Sequence, residues 1–169
     1  MASPLAYMIR PAVSADSKSR LALIRKAWLA AYGEMIPLNL LEDLFTGQIH
    51  QKEIFPGYAL AEDLGSLVVL VENRLIATVS LAKTTTGTGV ISTFAVEPEM
   101  QHQGIGMALW HCALATLRNA GCQHLRLHVL KGAAALDFYL KRGCTLGEDG
   151  YFRLGQHTFP AVCLWLKID

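Results

Sequence analysis

VEPEMQHQGIGMALW, residues Val96–Trp110, is the stretch of the sequence that decides the fold. Pro98 ends the β-branched run before it, and Gly104 and Gly106 stand directly before an apolar run with helical spacing. Glycines at the start of a helix let a ligand approach backbone N–H groups that have no partner within the helix. The same glycines would also relieve a tight turn. The stretch therefore predicts a strand, a loop and a helix, with an anion site as one reason for the glycines.

Two common nucleotide-binding motifs do not fit this loop. A dinucleotide fingerprint requires glycine or alanine at position 109, where this chain has Leu109, and an acidic residue about 20 residues on. The following strand, HLRLHVL (124–130), does not end in that acid. A P-loop requires Gly-Lys-Ser/Thr, a tripeptide that the chain lacks. The helix N-terminus still carries a partial positive charge, which suits a phosphate of another kind.

The composition limits the classes of partner. The chain has 169 residues, a net charge of +1, 17% charged and 52% hydrophobic residues. This length fits one domain, expected over residues 1–169, and the charge balance argues against nucleic acid as a partner. No apolar run reaches the roughly 18 residues that a membrane span needs, and no signal-peptide pattern is present. We therefore expect a cytoplasmic protein that contacts no membrane.

The cysteines are expected to be reduced and mostly buried, given this length and the absence of a secretion signal. They are Cys112, Cys122, Cys144 and Cys163. Cys122, His124 and His128 stand close together in the sequence, but their spacing matches no zinc motif. Strand alternation explains that spacing better, so no metal is expected.

Hydrophobic periodicity predicts the element order β-α-α-β-β-β-α-β-α-β-β. Asp16 is one of three residues able to cap the first helix, and the second helix ends near Gly47. Asn73 and Arg74 predict a tight turn between two strands, and the last two strands are expected within residues 151–168. This order predicts one α/β domain with a mixed, mostly antiparallel sheet flanked by about four helices.

The loop QHQGIG (101–106) fits the pattern Q/R-x-x-G-x-G/A. That pattern resembles the acyl-CoA-binding loop of the GNAT superfamily of N-acetyltransferases. A second stretch, LHVLKGAAALDFYLKRGC, resembles the family's V-x-x-x-N-x-x-A-x-x-x-Y-x-K-x-G-F, with Tyr139 at the tyrosine. The strong motifs lie in residues 92–144, and the element order is also that of the family. The resemblance implies transfer of an acetyl group from acetyl-CoA to an amine. A non-catalytic acyl-CoA-binding module of the same fold is the alternative.

The resemblance also implies how the cofactor is held. Its pyrophosphate would lie on backbone N–H groups of the loop, and its pantetheine arm would pair with the fourth strand as an extended chain. The loop residues in this chain are Gln101, His102, Gln103, Gly104, Ile105, Gly106 and Met107. The strand residues are Phe94, Ala95 and Val96.

The chain departs from the family pattern at two positions. The family's asparagine falls on Gly132 when counted back from Tyr139, and on Ala133 when counted forward from Val129. The turn is therefore one residue shorter than usual, and neither residue can make the asparagine side-chain contact. The final phenylalanine of the pattern is Cys144 here.

The resemblance assigns Tyr139 as the general acid that protonates the leaving thiolate. Proton transfer from an ordinary tyrosine to a thiolate is uphill by about 2 kcal/mol, which hydrogen bonding can offset. A backbone N–H near Ala95 or Val96 would polarise the thioester oxygen. The general base stays open among His128, Glu34 and a chain of water molecules to solvent.

The N-terminal helices, residues 14–48, are expected to border the acceptor site, because AWLAAYGEMIP (27–37) resembles a segment that borders the acceptor pocket in related enzymes. Its expected contacts are Trp28, Tyr32 and Glu34, with Tyr151 and His157 near the final hairpin as further candidates. The acceptor is open among a small amine, an amino acid and a protein amino group. A homodimer is the expected assembly if the protein forms one.

Overall fold

The computed structural model describes residues 4–46 and 60–168. Its strands are β1 (Met8–Pro11), β2 (Leu60–Val71), β3 (Arg74–Thr84), β4 (Gly89–Val96), β5 (His124–Leu130), β6 (Thr145–Leu154) and β7 (His157–Lys167). Its helices are α1 (Ser17–Tyr32), α2 (Leu38–Phe45), α3 (Ile105–Asn119) and α4 (Ala135–Leu140). The order of these elements along the chain confirms the predicted one.

The strands of the described part form one seven-stranded sheet in the order β1-β2-β3-β4-β5-β7-β6. Neighbouring strands are antiparallel except β4 and β5, which are parallel. A parallel pair needs a crossover connection, and α3 provides it here. The predicted mixed, mostly antiparallel sheet flanked by helices is thereby confirmed.

The two faces of the sheet carry different helices. On one face, Arg20 of α1 donates hydrogen bonds to the hydroxyls of Thr78 (2.9 Å) and Ser80 (2.8 Å) on β3. On the other face, the ring of Phe94 on β4 contacts Trp110 of α3, with 6.3 Å between ring centroids. We call these the α1 face and the α3 face.

Side chains of β5 alternate as predicted. Leu125, Leu127 and Val129 are buried, whereas Arg126 and His128 between them are only partly buried. The period of two follows from strand geometry and needs no knowledge of the partners. His128 therefore lies on the face of β5 opposite to the buried leucines.

The turn between β2 and β3 differs from the prediction by one residue. Glu72 and Asn73 form it, with φ of 49° and 64°, and Arg74 is already the first residue of β3. Two consecutive positive φ angles are typical of the two-residue hairpin turns that match strand twist. Val71 stands opposite Arg74 in the ladder, so Glu72 and Asn73 are the two residues left for the turn.

Strand β6 begins earlier than predicted, at Thr145 instead of Tyr151. The intervening residues are rich in glycine and acids, a composition typical of loops. The glycine at 147 is required by packing, because a Cβ there would lie 2.7 Å from Cδ1 of Trp165. An irregularity in register follows Leu146. Pairing with β7 thus overrides the local preference.

Several expectations concern thiols, the membrane and masked segments. All four cysteines are free here; Cys112 is partly exposed and the other three are buried, which confirms that they are mostly buried. Over residues 4–46 and 60–168, no helix is long and apolar enough to cross a membrane. The expected helix end near Gly47, and residues 47–48 of the predicted acceptor segment, lie outside the described residues.

An ion pair closes the connection between β1 and α1. The carboxylate of Asp16 accepts hydrogen bonds from the Arg10 guanidinium (2.7 and 3.0 Å) and from the Val13 N–H (2.8 Å). Asp16 is 9% exposed, and these bonds lower the pKa of its carboxyl to about 2. The side chain therefore holds the turn before α1, whereas the sequence predicted a cap on the helix itself.

Asp16→Asn should lower the free energy of unfolding at neutral pH, because a neutral amide cannot pair with Arg10 in the same way. The folded-state pKa lies below the ordinary 3.8, so the ion pair stabilises the protein above 3.8 and is lost as pH falls toward 2. Urea unfolding at a series of pH values measures this. The difference between wild type and variant should shrink over that range, and Arg10→Gln should behave alike. A pH-independent difference would contradict the assignment.

Candidate active site

Strand β4 loses its partner on one side after its first two residues. Its pairing with β5 consists of Gly89 opposite Leu125 and Val90 opposite Arg126. On the β3 side, Ile91 stands opposite Leu81 and Thr93 opposite Ser80, so Ser92 is an extra residue. Such a bulge bends the strand that carries it. The second half of β4 therefore has an edge with no strand beside it in the described part of the chain.

Hydrogen-bond directions alternate along this edge. The Glu97 N–H donates to the Ile76 carbonyl at 2.8 Å, and two residues earlier Ala95 stands opposite Thr78. In an antiparallel ladder alternate residues point their backbone groups at the same partner strand, so Ala95 directs its N–H and C=O toward β3. Phe94 and Val96 direct theirs toward the open edge. Of the two expected donors, Val96 is the one that faces the opening.

The loop before α3 presents a series of unpaired donors. Within the described residues, none of the backbone N–H groups from His102 to Met107 has a hydrogen-bond acceptor. His102 and Gly104 both have positive φ, 60° and 82°, which turns successive N–H groups to one side of the chain. The first N–H group bonded within the helix is that of Ala108, which donates to Gly104 at 3.0 Å. This arrangement fits a phosphate or pyrophosphate.

Gly106 lets α3 approach its neighbours closely. A Cβ at this position would lie 3.4 Å from Cε2 of Phe138 and 3.8 Å from Cγ2 of Val96. The loop, the end of β4 and α4 therefore meet at one point. Two glutamine side chains hold the loop there: Gln101 donates to the Val96 carbonyl at 3.3 Å, and Gln103 donates to the Glu99 carbonyl at 3.2 Å.

Tyr139 lies in a cluster of aromatic rings on the α3 face. Its ring is 5.3 Å from Phe138, 5.7 Å from Trp110 and 6.3 Å from Phe94, measured between centroids. Tyr139 is buried, and burial raises the pKa of its hydroxyl above the ordinary value of 10. Tyr32 and Cys144 raise this pKa further, whereas Arg142 lowers it. The hydroxyl thus stays protonated at neutral pH and is available as a hydrogen-bond donor.

Trp28 and Tyr32 belong to a second aromatic cluster, on the α1 face. The ring of Trp28 makes edge contacts with Tyr32 (5.3 Å), Phe45 of α2 (6.2 Å) and Phe152 of β6 (6.5 Å). Tyr32 also raises the pKa of Tyr139 electrostatically, so the end of α1 lies near the Tyr139 hydroxyl. Burial raises the pKa of Tyr32.

His128 lies on the α1 face, over a glycine of β6. A Cβ at Gly150 would be 3.2 Å from both Cδ2 and Nε2 of the imidazole. Gly150 shares its face with Phe152, which contacts α1, so the histidine borders the same side as the Trp28 cluster. Burial lowers the pKa of His128 below 6.5; Arg126 lowers it further and Glu148 opposes this. The imidazole is therefore neutral at pH 7 and has a nitrogen able to accept a proton.

The loop between α1 and α2 reaches the turn before α4. Glu34 is exposed on this loop, and the methyl group of Met35 lies 3.9 Å from the position that a Cβ on Gly132 would take. Gly132 has a φ of 83°, a conformation that favours glycine. The place of the family's asparagine is thus a tight turn beside Met35. Nothing in the sequence indicated that contact.

The two further candidates near the final hairpin are both exposed. Tyr151 is exposed and points to the face opposite its neighbour Phe152, and His157 is exposed beside the β6–β7 turn. Phe152 instead joins the Trp28 cluster, a residue that sequence reasoning missed. Strand alternation could have found it if the start of β6 had been recognised. Across the described part of the chain, no three His, Cys, Asp or Glu side chains form a group suited to a metal.

Comparisons with known proteins identify the family and the fold of the chain. The model of the acetyltransferase (GNAT) family matches residues 30–144. No curated protein sequence matches the chain.

Solved structures share the fold at low sequence identity. PaiA N-acetyltransferase from Thermoplasma acidophilum, in complex with coenzyme A, is 17% identical with a TM-score of 0.78, covering 96% of this chain and 99% of its own. The ribosomal-protein-S18-alanine N-acetyltransferase from Escherichia coli is 18% identical with a TM-score of 0.67, covering 97% and 95%. Ard1 from Thermoplasma volcanium is 20% identical with a TM-score of 0.66, covering 97% and 99%.

Proposed function

The chain belongs to the GNAT family of acetyltransferases, and we propose that it transfers an acetyl group from acetyl-CoA to a primary amine. The observation that carries this proposal is the loop of unpaired N–H groups, His102–Met107, next to the open edge of β4. A ligand with a pyrophosphate on an extended, amide-bearing arm suits both features. The acceptor is a small amine, an amino acid or a protein amino group. We further propose a cytoplasmic location, supported by the free cysteines, and a homodimer as the assembly to test.

The residues of the chain suit acetyl-CoA. His102 is the only basic side chain of the loop, so the phosphates would be bound mainly by backbone groups. Backbone N–H groups of His102–Met107 would bind the pyrophosphate, and the backbone groups of Phe94 would pair with the pantetheine arm. Acetyl-CoA supplies the acetyl group as a thioester. The Val96 N–H, which faces the open edge, is the donor best directed at the thioester oxygen, where it would stabilise negative charge as it develops.

Tyr139 would donate a hydrogen bond to the sulfur as the carbon–sulfur bond breaks. Its raised pKa makes complete proton transfer to a thiolate less favourable than for an ordinary tyrosine. The same raised pKa keeps the hydroxyl protonated over the whole neutral range. We therefore propose that Tyr139 acts as the acid through a hydrogen bond to the sulfur that becomes strongest at the transition state.

The base that removes the amine proton has one candidate with supporting geometry. His128 is neutral near pH 7 and borders the α1 face beside the end of the β4–β5 pairing. Glu34 is exposed on the loop after α1, and a water chain to solvent remains a third route. A neutral histidine with a lowered pKa is a weak base, so it suits an amine that arrives largely uncharged.

The function is tested by following free thiol release from acetyl-CoA with a panel of amines, in wild type and in Tyr139→Phe. Wild type should release thiol with at least one amine. Removing the hydroxyl should lower kcat by about 10²-fold with little change in KM for acetyl-CoA, because the hydrogen bond strengthens only in the transition state. Tyr7→Phe, an exposed tyrosine far from the site, is the matched control.

Two results would contradict this assignment. Tight CoA binding without thiol release across the panel would favour the non-catalytic acyl-CoA-binding module. An unchanged kcat in Tyr139→Phe, with chemistry shown to be rate-limiting, would remove the tyrosine from the mechanism.

Gly104→Ala should raise the Kd for CoA about tenfold, because an alanine at φ 82° is strained by about 1–2 kcal/mol and its methyl group would stand beside the N–H groups. Isothermal titration calorimetry measures the Kd. Gly87→Ala is a matched control, since Gly87 has a φ of 86°, equally open surroundings and a place in the hairpin turn after β3. Equal losses of affinity in both variants would refute the loop as the binding site.

His128→Ala should remove the acidic limb of the pH profile of kcat/KM for the amine. In wild type this limb should have its midpoint below pH 6.5, the direction in which burial shifts the pKa. The rate should fall as pH drops through that value, because the protonated imidazole cannot accept a proton. The limb from the amine itself, at higher pH, should remain in both proteins. Identical profiles would transfer the role to Glu34 or water.

A further inference from the structure

Two carboxylates stand directly before the loop of unpaired N–H groups. Glu97 follows the last residue of β4, and Glu99 lies two residues before Gln101. Inside the loop, Gln101–Met107, His102 is the only ionisable side chain. The nearest fixed side-chain charges in the sequence are therefore negative, at a place that suits a polyanionic ligand. Left alone, they would oppose the positive potential of the helix N-terminus.

Cations from distant parts of the chain pair with both carboxylates. Lys26 of α1 lies 3.1 Å from Oε1 of Glu97 and 2.8 Å from Oε1 of Glu99. Arg74, the first residue of β3, donates to Oε1 of Glu97 at 2.9 Å and lies 2.7 Å from Oε2. We call Lys26, Arg74, Glu97 and Glu99 the charge cluster. Its members are separated by up to 73 residues of sequence.

The two carboxylates differ in exposure and in the cations that pair with them. The Glu97 side chain is 11% exposed and keeps Arg74 if Lys26 is lost. The Glu99 side chain is 65% exposed and has Lys26 as its cation. This pairing raises the pKa of Lys26 and lowers that of Glu99, so both are charged near neutral pH. Loss of Lys26 would leave one net negative charge, on Glu99, beside the loop.

We propose that Lys26 and Arg74 are positioning residues for the phosphates of acetyl-CoA, which act by neutralising Glu97 and Glu99 and so leave the N–H groups of the loop to set the local potential. Lys26 is the residue by which α1 controls the affinity of the loop for its anion. This inference rests on the proposed function. It assigns to α1, the helix that also carries Trp28 and Tyr32, a second role at the cofactor loop.

The expected effect is modest and depends on salt. One unpaired charge beside the phosphate-binding loop should raise the KM for acetyl-CoA about three- to tenfold at low ionic strength. At about 1 M salt the Debye length falls to about 3 Å, and the effect should vanish. A substitution that acted by loosening the fold would not depend on salt in this way.

The test is a charge cycle measured on the full chain with acetyl-CoA as the varied substrate. Lys26→Met should raise KM, Glu99→Gln should lower it, and the double variant should return close to wild type, all with nearly constant kcat. Lys18→Met is the matched control, because it removes the same charge from an exposed position about 12 Å earlier on α1. Thermal unfolding of each variant verifies that it is folded.

S-acetylpantetheine separates electrostatics from structure, because it carries the thioester and the amide arm but no phosphate. Its kcat/KM should be the same in wild type and Lys26→Met, whereas that of acetyl-CoA should differ. Equal losses with both donors, or a double variant no closer to wild type than Lys26→Met, would overturn the inference while the proposed function stands. A wild type that binds no CoA would overturn both.

Discussion

A backbone N–H or C=O group that is removed from water costs free energy unless it finds a partner. At Phe94 and Val96, β4 directs such groups toward a side where no described strand stands, because its pairing with β5 ends at Val90. The bulge at Ser92 turns the strand away at that place. The loop before α3, the Tyr139 cluster and the end of α1 all border this opening. The incomplete pairing of β4 with β5 thus creates the opening around which the cofactor loop, the Tyr139 cluster and the end of α1 are arranged.

The features that the sequence could predict are those with a local cause. Gly104 indicates the loop because its own positive φ favours glycine, and the alternation of Leu125 and Leu127 follows from strand geometry alone. The sequence did not predict the first part of β6, because the reasons for its glycines lie elsewhere in the chain. Gly147 packs against the Trp165 indole, and Gly150 packs against the His128 ring. The same error hid Phe152, whose side chain joins the Trp28 cluster where Tyr151 had been expected. Packing partners distant in sequence leave no local periodicity by which to find them.

The electrostatic interactions of the site likewise could not be predicted from the sequence alone. The sequence has Lys26, Glu97 and Glu99, but only the folded chain pairs them, and only burial shows that the hydroxyl of Tyr139 holds its proton more strongly than an ordinary tyrosine. The loop motif by itself indicates neither the ion pairs nor the raised pKa, although the ion pairs affect anion binding and the pKa affects how the acid acts. A motif therefore identifies the ligand class, whereas the long-range charges and the degree of burial set how strongly the site binds and how its acid acts.

His102 holds a left-handed backbone conformation, φ 60°, that side-chain-bearing residues adopt only at a cost of about 1–3 kcal/mol. Gln101 and Gln103 on either side anchor the loop by hydrogen bonds to Val96 and Glu99. The loop thus takes its shape when the protein folds, so ligand binding does not have to offset the entropy lost in ordering it. Stability and preorganisation oppose each other at this residue: a glycine would relieve the strain, yet would free the loop to leave the shape that aligns its N–H groups.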